Sequence, residues 1–193
     1  MKDYSNQKAE IATIKKRNIS ISLSDADCER LAIKAGTVGL TVDELLSNFI
    51  GDLVDGTYSN GSDERMYAND WYERCGFSFA PEETLLNFLL SSYSRYAEYE
   101  DSSVCDEIKE VGYLLTYYDE IQTLKSSIAY AKEFPEDCEN NIQSLKEDLE
   151  DYLIDYHCCV DEFLEKHPDA DIEKEILLCR KWLEEYEKIA KTE

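Results

Sequence analysis

Carboxylates are the most abundant chemically capable side chains of this sequence, and a dense group of them lies in its C-terminal third. Convergent carboxylates bind divalent cations, and a row of them can also attract a basic protein. These carboxylates lie opposite the apolar stripe of a predicted helix, so we expect an exposed acidic face for a protein partner and no metal site. The residues are Glu147, Asp148, Glu150, Asp151 and Asp155.

Histidine and cysteine form one local cluster, His157-Cys158-Cys159. Neighbouring residues on a helix point in different directions, so this cluster makes a poor chelate. No Cys-x-x-Cys pair occurs, and the spacing of the two histidines does not match a zinc finger. We expect reduced thiols, mostly buried in helix interiors. The seven cysteines are Cys28, Cys75, Cys105, Cys138, Cys158, Cys159 and Cys179.

The sequence contains no phosphate-binding loop, dinucleotide fingerprint, zinc-protease motif, hydrolase elbow or calcium loop. We therefore predict a protein that is not an enzyme and needs no cofactor. Its N-terminal residues lack an apolar signal region, and no apolar run approaches the ~18 residues of a membrane span. These patterns predict a soluble cytoplasmic protein without membrane contacts.

Many of the 14 tyrosines stand beside acidic residues. Rings next to carboxylates suit a protein that imitates nucleic acid, but tyrosine also commonly occupies a half-buried helix stripe. Both interpretations stay open. The tyrosines concerned are Tyr93, Tyr96, Tyr99, Tyr113, Tyr117, Tyr118, Tyr130, Tyr152, Tyr156 and Tyr186.

Charge divides the chain unevenly. Residues 1–58 carry 7 basic and 9 acidic side chains, net −2, whereas residues 59–193 carry 13 basic and 34 acidic, net −21. This asymmetry predicts a nearly neutral head and an acidic body. The body would repel a DNA duplex, so its charge is either a solvated face or a surface for a basic partner.

The head begins with a strictly alternating segment, residues 17–23, which predicts a half-buried strand. Ile19, Ile21 and Leu23 share one face. Two capped helices follow, starting after Ser24 and after Thr41. A lone strand leaves its backbone groups unpaired, so the economical solution is a homodimer in which two strands pair antiparallel.

The head also carries a family resemblance. Basic residues before the alternating segment, a Ser cap and a Gly-Leu-Thr turn closely resemble the ribbon-helix-helix (CopG/Arc/MetJ-like) family over residues 15–56. The positions in register are Lys15 to Ser24, Leu31, Ala35 and Gly39-Leu40-Thr41.

That resemblance implies DNA binding through the paired strands in the major groove and a phosphate at the second helix. Family members often carry Arg, Lys or Gln at the reading positions, where this chain has short polar residues. Pure dimerisation therefore stays open beside DNA binding. By position, Lys15, Lys16 and Arg17 would supply charge, Asn18, Ser20 and Ser22 would face bases, and Thr41 and the Val42 amide would hold phosphate.

The predicted fold class is mainly α: one strand and two helices, then an acidic antiparallel helical bundle or coiled-coil region. Residues 1–14 are expected to be a flexible arm, 57–80 an aromatic connector and 81–193 the bundle. Apolar residues three and four apart predict the bundle helices. Their approximate ranges are 81–93, 103–134, 136–166 and 170–191.

Two functions compete at this point. The first is a phage or mobile-element accessory protein, similar to a transcriptional regulator, with a DNA-binding head and a partner-binding body. The connector's loose resemblance to mobile-element proteins suggests that setting. The alternative is an anti-CRISPR or other counter-defence inhibitor whose acidic, Tyr-rich bundle mimics nucleic acid and blocks an effector nuclease.

Overall fold

The computed structural model describes residues 11–57, 59–77, 83–96, 106–134 and 142–190, and this described part is mainly helical, as predicted. Residues 1–10 of the predicted arm, Pro81, Cys105, Pro135 and Cys138 lie outside it. Seven helices occur in the described ranges. They are α1 (Asp25–Gly36), α2 (Val42–Leu53), α3 (Ser62–Arg74), α4 (Leu85–Tyr96), α5 (Asp106–Glu133), α6 (Ile142–Lys166) and α7 (Ile172–Ala190).

The predicted helix starts in the head are confirmed by their hydrogen bonds. The Ser24 side chain accepts from the Asp27 backbone N–H at 3.1 Å. Thr41 and Glu44 form a capping box: Thr41 Oγ1 accepts from the Glu44 N–H at 3.2 Å, and the Glu44 carboxylate accepts from the Thr41 N–H at 2.8 Å. Each bond satisfies a donor that the first helical turn leaves unpaired.

The predicted strand over residues 17–23 is not formed in the single chain, where these residues have no regular structure. A strand exists only through a hydrogen-bonded neighbour, and no strand lies in the described ranges to supply one. The alternating segment instead presents both of its faces to solvent.

The chain divides into two compact units. The N-terminal unit comprises Met1–Glu82 and Ile189–Glu193. In it α1 packs on α2, and α2 packs on α3. The buried residues in its described part are three small ones, Ala35, Gly51 and Ala68. The described part of this unit thus has close helix contacts, while its large apolar side chains are at most partly buried.

The second, helical unit is Glu83–Lys188. Helices α4, α5, α6 and α7 all contribute to one apolar core, and α5 and α6 pack along each other. Ile121, Ile128 and Ala131 on α5 are also buried, which confirms the three-and-four spacing read from the sequence. The core residues are Leu85, Phe88, Leu89, Val111, Leu114, Leu115, Val160, Phe163, Ile176 and Cys179.

Polar contacts at the edge of this core tie distant helices together. The Arg180 guanidinium donates to both oxygens of Asp119, at 2.7 and 3.1 Å. The Glu175 carboxylate accepts from the Leu85 backbone N–H at 2.8 Å, at the start of α4. Two-pronged Arg–carboxylate pairs fix orientation as well as distance, so they hold α7 in register with α5.

Candidate functional site

The segment predicted to face DNA is accessible along its whole length. Lys15, Lys16, Asn18, Ser20 and Ser22 are all exposed. These exposed short polar and basic side chains are accessible to a partner molecule.

Arg17 is the exception among the predicted phosphate-contacting cations. Its guanidinium donates to the backbone carbonyl oxygens of Ala190 at 2.5 Å and Ile189 at 3.3 Å. The last carbonyls of a helix lack intrahelical donors and carry the negative end of the helix dipole. Arg17 therefore already has an acceptor within the chain.

The predicted phosphate position at the start of α2 already has an anion of its own. The Glu44 carboxylate accepts from both the backbone N–H and the hydroxyl of Thr41, at 2.8 and 2.9 Å, while Val42 begins the helix. The bond from the Thr41 backbone, and next that from its hydroxyl, lower the pKa of Glu44 below its ordinary value. The group stays ionised at neutral pH and opposes a phosphate at this position.

The apolar face of the alternating segment is uncovered. Ile19, Ile21 and Leu23 are 54%, 59% and 47% exposed. Phe49 and Ile50, which lie on the apolar stripe of α2, are exposed as well. These exposed residues belong to the unit whose described residues include no large buried side chain, so they form a candidate surface for self-association.

Four aromatic side chains of the N-terminal unit contact one another, and we call them the aromatic cluster. Trp71 of α3 meets Phe49 of α2 edge-on, with ring centroids 5.6 Å apart, and it meets Phe77 at 6.0 Å. Tyr72 lies 5.6 Å from Phe77. Trp71, Tyr72 and Phe77 lie in the predicted aromatic connector, but the contact with Phe49 was not predicted, because no local pattern links positions on different helices.

The predicted acidic face is on α6, and all five of its carboxylates are exposed. No ion pair joins any of them to a Lys or Arg in the part of the chain that the structure describes. Glu147 accepts one hydrogen bond, from the Gln143 amide at 2.9 Å. The face comprises Glu147, Asp148, Glu150, Asp151 and Asp155, and its charge is left largely uncompensated.

Tyrosines line the junction of α5 and α6 next to this face. Tyr113 stacks on Tyr117 with centroids 6.4 Å apart, and Tyr117 contacts Tyr152 at 6.3 Å. Tyr113 is exposed, whereas Tyr117 and Tyr152 are half-buried. Desolvation and then the Asp155 carboxylate raise the pKa of Tyr117 above its ordinary value.

The cysteines differ from the prediction of mostly buried thiols. Cys28, Cys75 and Cys158 are exposed, because they lie on the solvent sides of their helices or just past a helix end. Cys179 is buried in the core, and burial raises its pKa to about 12. Burial likewise raises the pKa of Cys159 to about 11. The buried thiol of Cys179 and the half-buried thiol of Cys159 therefore stay protonated and unreactive at neutral pH.

His157 makes a contact of its own rather than joining the adjacent thiols, since its Nδ1 lies 2.8 Å from Asp161 Oδ1. Within the described ranges, no group of three or more His, Cys, Asp or Glu side chains converges as a metal site would require. None of the helices described is both long and apolar enough to pass through a bilayer.

The features that bear on function are thus an uncovered apolar segment with basic residues beside it, an aromatic cluster, and an acidic face bordered by tyrosines. No protein-family model, no curated protein and no solved structure matches the chain.

Proposed function

We propose that this chain is a homodimeric accessory protein of a phage or mobile element, similar to a transcriptional regulator. Its head pairs two copies of residues 17–23 as a ribbon-helix-helix module that contacts DNA. Helices α4 to α7 form an acidic antiparallel bundle that contacts a basic protein. The observation that carries the proposal is the exposed apolar face of Ile19, Ile21 and Leu23, in a unit where the structure describes no large side chain as buried.

The free energy that strand pairing gains by burying apolar side chains can be estimated. Full burial of an Ile or Leu side chain contributes about 1.5–3 kcal/mol, so each half-exposed residue of the segment offers roughly 1 kcal/mol. Six such residues in a dimer offer roughly 6 kcal/mol, against an association cost of about 4–15 kcal/mol. The ribbon alone is marginal, so α1 and α2 must contribute apolar surface to the same interface.

Contact with DNA rests on the residues beside the ribbon. Lys15, Lys16 and Arg17 precede it, and Asn18 can pair with adenine through its amide. Lys15 and Lys16 give about four phosphate contacts in a dimer, for which log affinity falls with log salt at a slope of about −4, since Arg17 already donates to the carbonyl oxygen of Ala190. Affinity is modest, because Ser20 and Ser22 are short and Glu44 opposes phosphate.

The test of DNA binding is fluorescence anisotropy with labelled duplexes at about 50 mM salt, where phosphate contacts are strong. Lys15→Ala, Lys16→Ala and Arg17→Ala together are expected to abolish binding and the salt dependence. Lys34→Ala, a single exposed cation at the end of α1, is the control and leaves most of the affinity. If the unaltered chain does not bind DNA at this salt concentration, the proposed DNA binding is overturned. The proposed dimerisation of the head is not affected by that result.

The test of the dimer is sedimentation equilibrium of the full chain. Ile21→Lys places a charge on the apolar face of the ribbon and is expected to raise the dimer dissociation constant at least ~100-fold. Ser20→Lys puts the same charge on the opposite face one residue away and serves as the control. A monomeric unaltered chain at high micromolar concentration contradicts the proposal.

A second function is favoured by the tyrosines beside the acidic face. Stacked Tyr113 and Tyr117, with Asp155 close by, offer the ring and carboxylate groups that an arginine-lined nucleic-acid channel binds. An inhibitor of an effector nuclease, of the anti-CRISPR kind, would use this surface. It is compatible with a DNA-binding head, because the two activities reside in different units.

Capture of basic nucleases on the immobilised chain, at rising salt, tests the inhibitor function. Reversal of Glu147, Asp148, Glu150 and Asp151 to Lys is expected to abolish capture. Reversal of Glu173, Glu184 and Glu185 on α7 to Lys provides a charge-changed control. Glu175 is left unaltered, because its carboxylate accepts from the Leu85 N–H at the start of α4. Capture that is absent, or equal for both variants, counts against the inhibitor.

A further inference from the structure

The aromatic cluster is built on helices that are fixed to each other. Beyond the contact of Trp71 with Phe49, the Arg65 guanidinium of α3 pairs with Asp55 at 3.0 Å, just after α2. Asp52 of α2 accepts from the backbone N–H and the side-chain amide of Asn60, at 2.7 and 2.9 Å. Helix α3 is therefore an integral part of the N-terminal unit, and its rings have a defined position beside α2.

The rings of the cluster touch each other yet leave much of their surface uncovered. Trp71 is 46% exposed, Tyr72 39% and Phe77 56%. An aromatic side chain buries about 150–250 Å² when fully covered, so these three rings offer roughly 300 Å² per copy. A stable interface buries about 800 Å² per partner. The cluster is thus a substantial part of what a stable dimer requires.

Phe49 links the cluster to the proposed dimer surface. It lies on the apolar stripe of α2, one residue before the exposed Ile50, and its ring meets Trp71 of α3. Any second copy that covers the stripe of α2 at Phe49 comes within reach of Trp71. The ribbon by itself is marginal, so the dimer needs additional apolar area of this kind.

We infer that the aromatic cluster is part of the dimer interface, and that Trp71 and its neighbours pack against the second copy of this chain. This inference rests on the proposed dimer and extends it from the ribbon and its two helices to α3. The interface is self-complementary, so each copy both presents its cluster and covers part of the other head.

The fluorescence emission of Trp71 reports whether this residue becomes buried. The chain has two tryptophans, and Trp182 lies against the core of the helical unit. In the Trp182→Phe variant, emission comes from Trp71 alone. We expect this emission to shift to shorter wavelength as concentration rises, with the same midpoint as the mass increase from monomer to dimer in sedimentation equilibrium.

The matched substitutions are Trp71→Ala and Met66→Ala, both in the full chain. Met66 lies on α3, is 51% exposed, and stands five residues from Trp71, about 140° around the helix. Trp71→Ala is expected to raise the dimer dissociation constant about 30-fold, as a central aromatic residue does. Met66→Ala is expected to leave it within about twofold, and circular dichroism verifies that both variants keep their helix content.

The outcomes separate this inference from the proposed dimer. A dimer that forms with unchanged Trp71 emission, or with unchanged affinity in Trp71→Ala, overturns the inference while the ribbon dimer stands. Emission that shifts only in a later dimer-to-tetramer step also overturns it. A chain that stays monomeric at all concentrations overturns the proposed dimer itself, and emission independent of concentration accompanies that result.

Discussion

The two units of this chain differ in how far their large apolar side chains are buried. In the helical unit, side chains such as Phe163, Leu114 and Val160 are at most 1% exposed, and four helices enclose them. In the described part of the N-terminal unit the buried residues are Ala35, Gly51 and Ala68, while Ile21 and Trp71 face water. The helical unit thus encloses a core of large side chains, whereas the described residues of the N-terminal unit leave their large apolar side chains at least partly exposed.

Charge also divides the chain, at a boundary after residue 58 that places α3 of the N-terminal unit in the acidic part. The basic residues Lys15, Lys16 and Arg17 precede the ribbon segment in a nearly neutral head, whereas residues 59–193 carry net −21. A region with strong negative charge keeps a chain soluble and repels like surfaces. Association is therefore expected at the head, and four measurements test the contrast between the units.

Removal of a core ring has the largest expected effect. Phe163→Ala takes away a fully buried side chain that contacts Phe88, with centroids 5.8 Å apart. We expect the free energy of unfolding of the helical unit to fall by about 3–5 kcal/mol, as for buried Phe in general. Ile154→Ala, an exposed position of α6, is the control at under about 0.5 kcal/mol. Denaturant titration followed by circular dichroism measures both.

Concentration dependence of melting is the second test. If the N-terminal unit completes its core by dimerisation, its melting temperature rises with protein concentration. Association with a folded partner stabilises by about 2.7 kcal/mol when the partner concentration is about 100 times the dissociation constant. The helical unit is expected to melt at a constant temperature. Calorimetry at several protein concentrations measures both melting temperatures. If the melting temperature of the N-terminal unit does not depend on concentration, the expected difference between the two units is contradicted.

Removal of the Glu44 charge at the start of α2 is expected to have a smaller effect, which is on DNA affinity. Glu44→Gln keeps a side-chain acceptor for the Thr41 N–H but removes the negative charge beside the predicted phosphate. Removal of one such charge is expected to raise DNA affinity about threefold, in line with about 0.3–1 kcal/mol for a charge at a helix end. Glu29→Gln on α1 is the control, and anisotropy at fixed salt is the measurement.

Acid pH is expected to weaken the two helix caps of the N-terminal unit. Hydrogen bonds from Ser24 and then Arg30 lower the pKa of Asp27 below 3.8, and those from Thr41 lower that of Glu44 below 4.5. Their stabilisation is present above these ordinary values and is lost as pH falls through the lowered ones. Between pH 7 and about 5 the melting temperature of this unit should therefore change little, and it should fall as the pH is lowered below about 4. Thermal melts from about pH 7 to about pH 3 measure this.

Local patterns in the sequence predicted the features that depend on neighbours along the chain. Ser24 and Thr41 cap helices as expected, because their partners lie three residues away. The stripe of Val111, Leu115 and Ile121 is buried as its spacing predicts. Exposure of Cys28 and Cys158 was not predicted, because cysteine's usual preference for burial does not decide which side of a given helix it occupies.

The sequence by itself determined the helical class, the helix caps, the contrast in charge and the apolar face of the alternating segment. Each of these follows from interactions over one to four residues or from simple addition of charges. Only the tertiary structure decided that Phe49 meets Trp71, that Arg17 reaches the carbonyl of Ala190, and that Arg180 binds Asp119. Those contacts join residues 22 to 173 positions apart, and their formation depends on how whole helices pack.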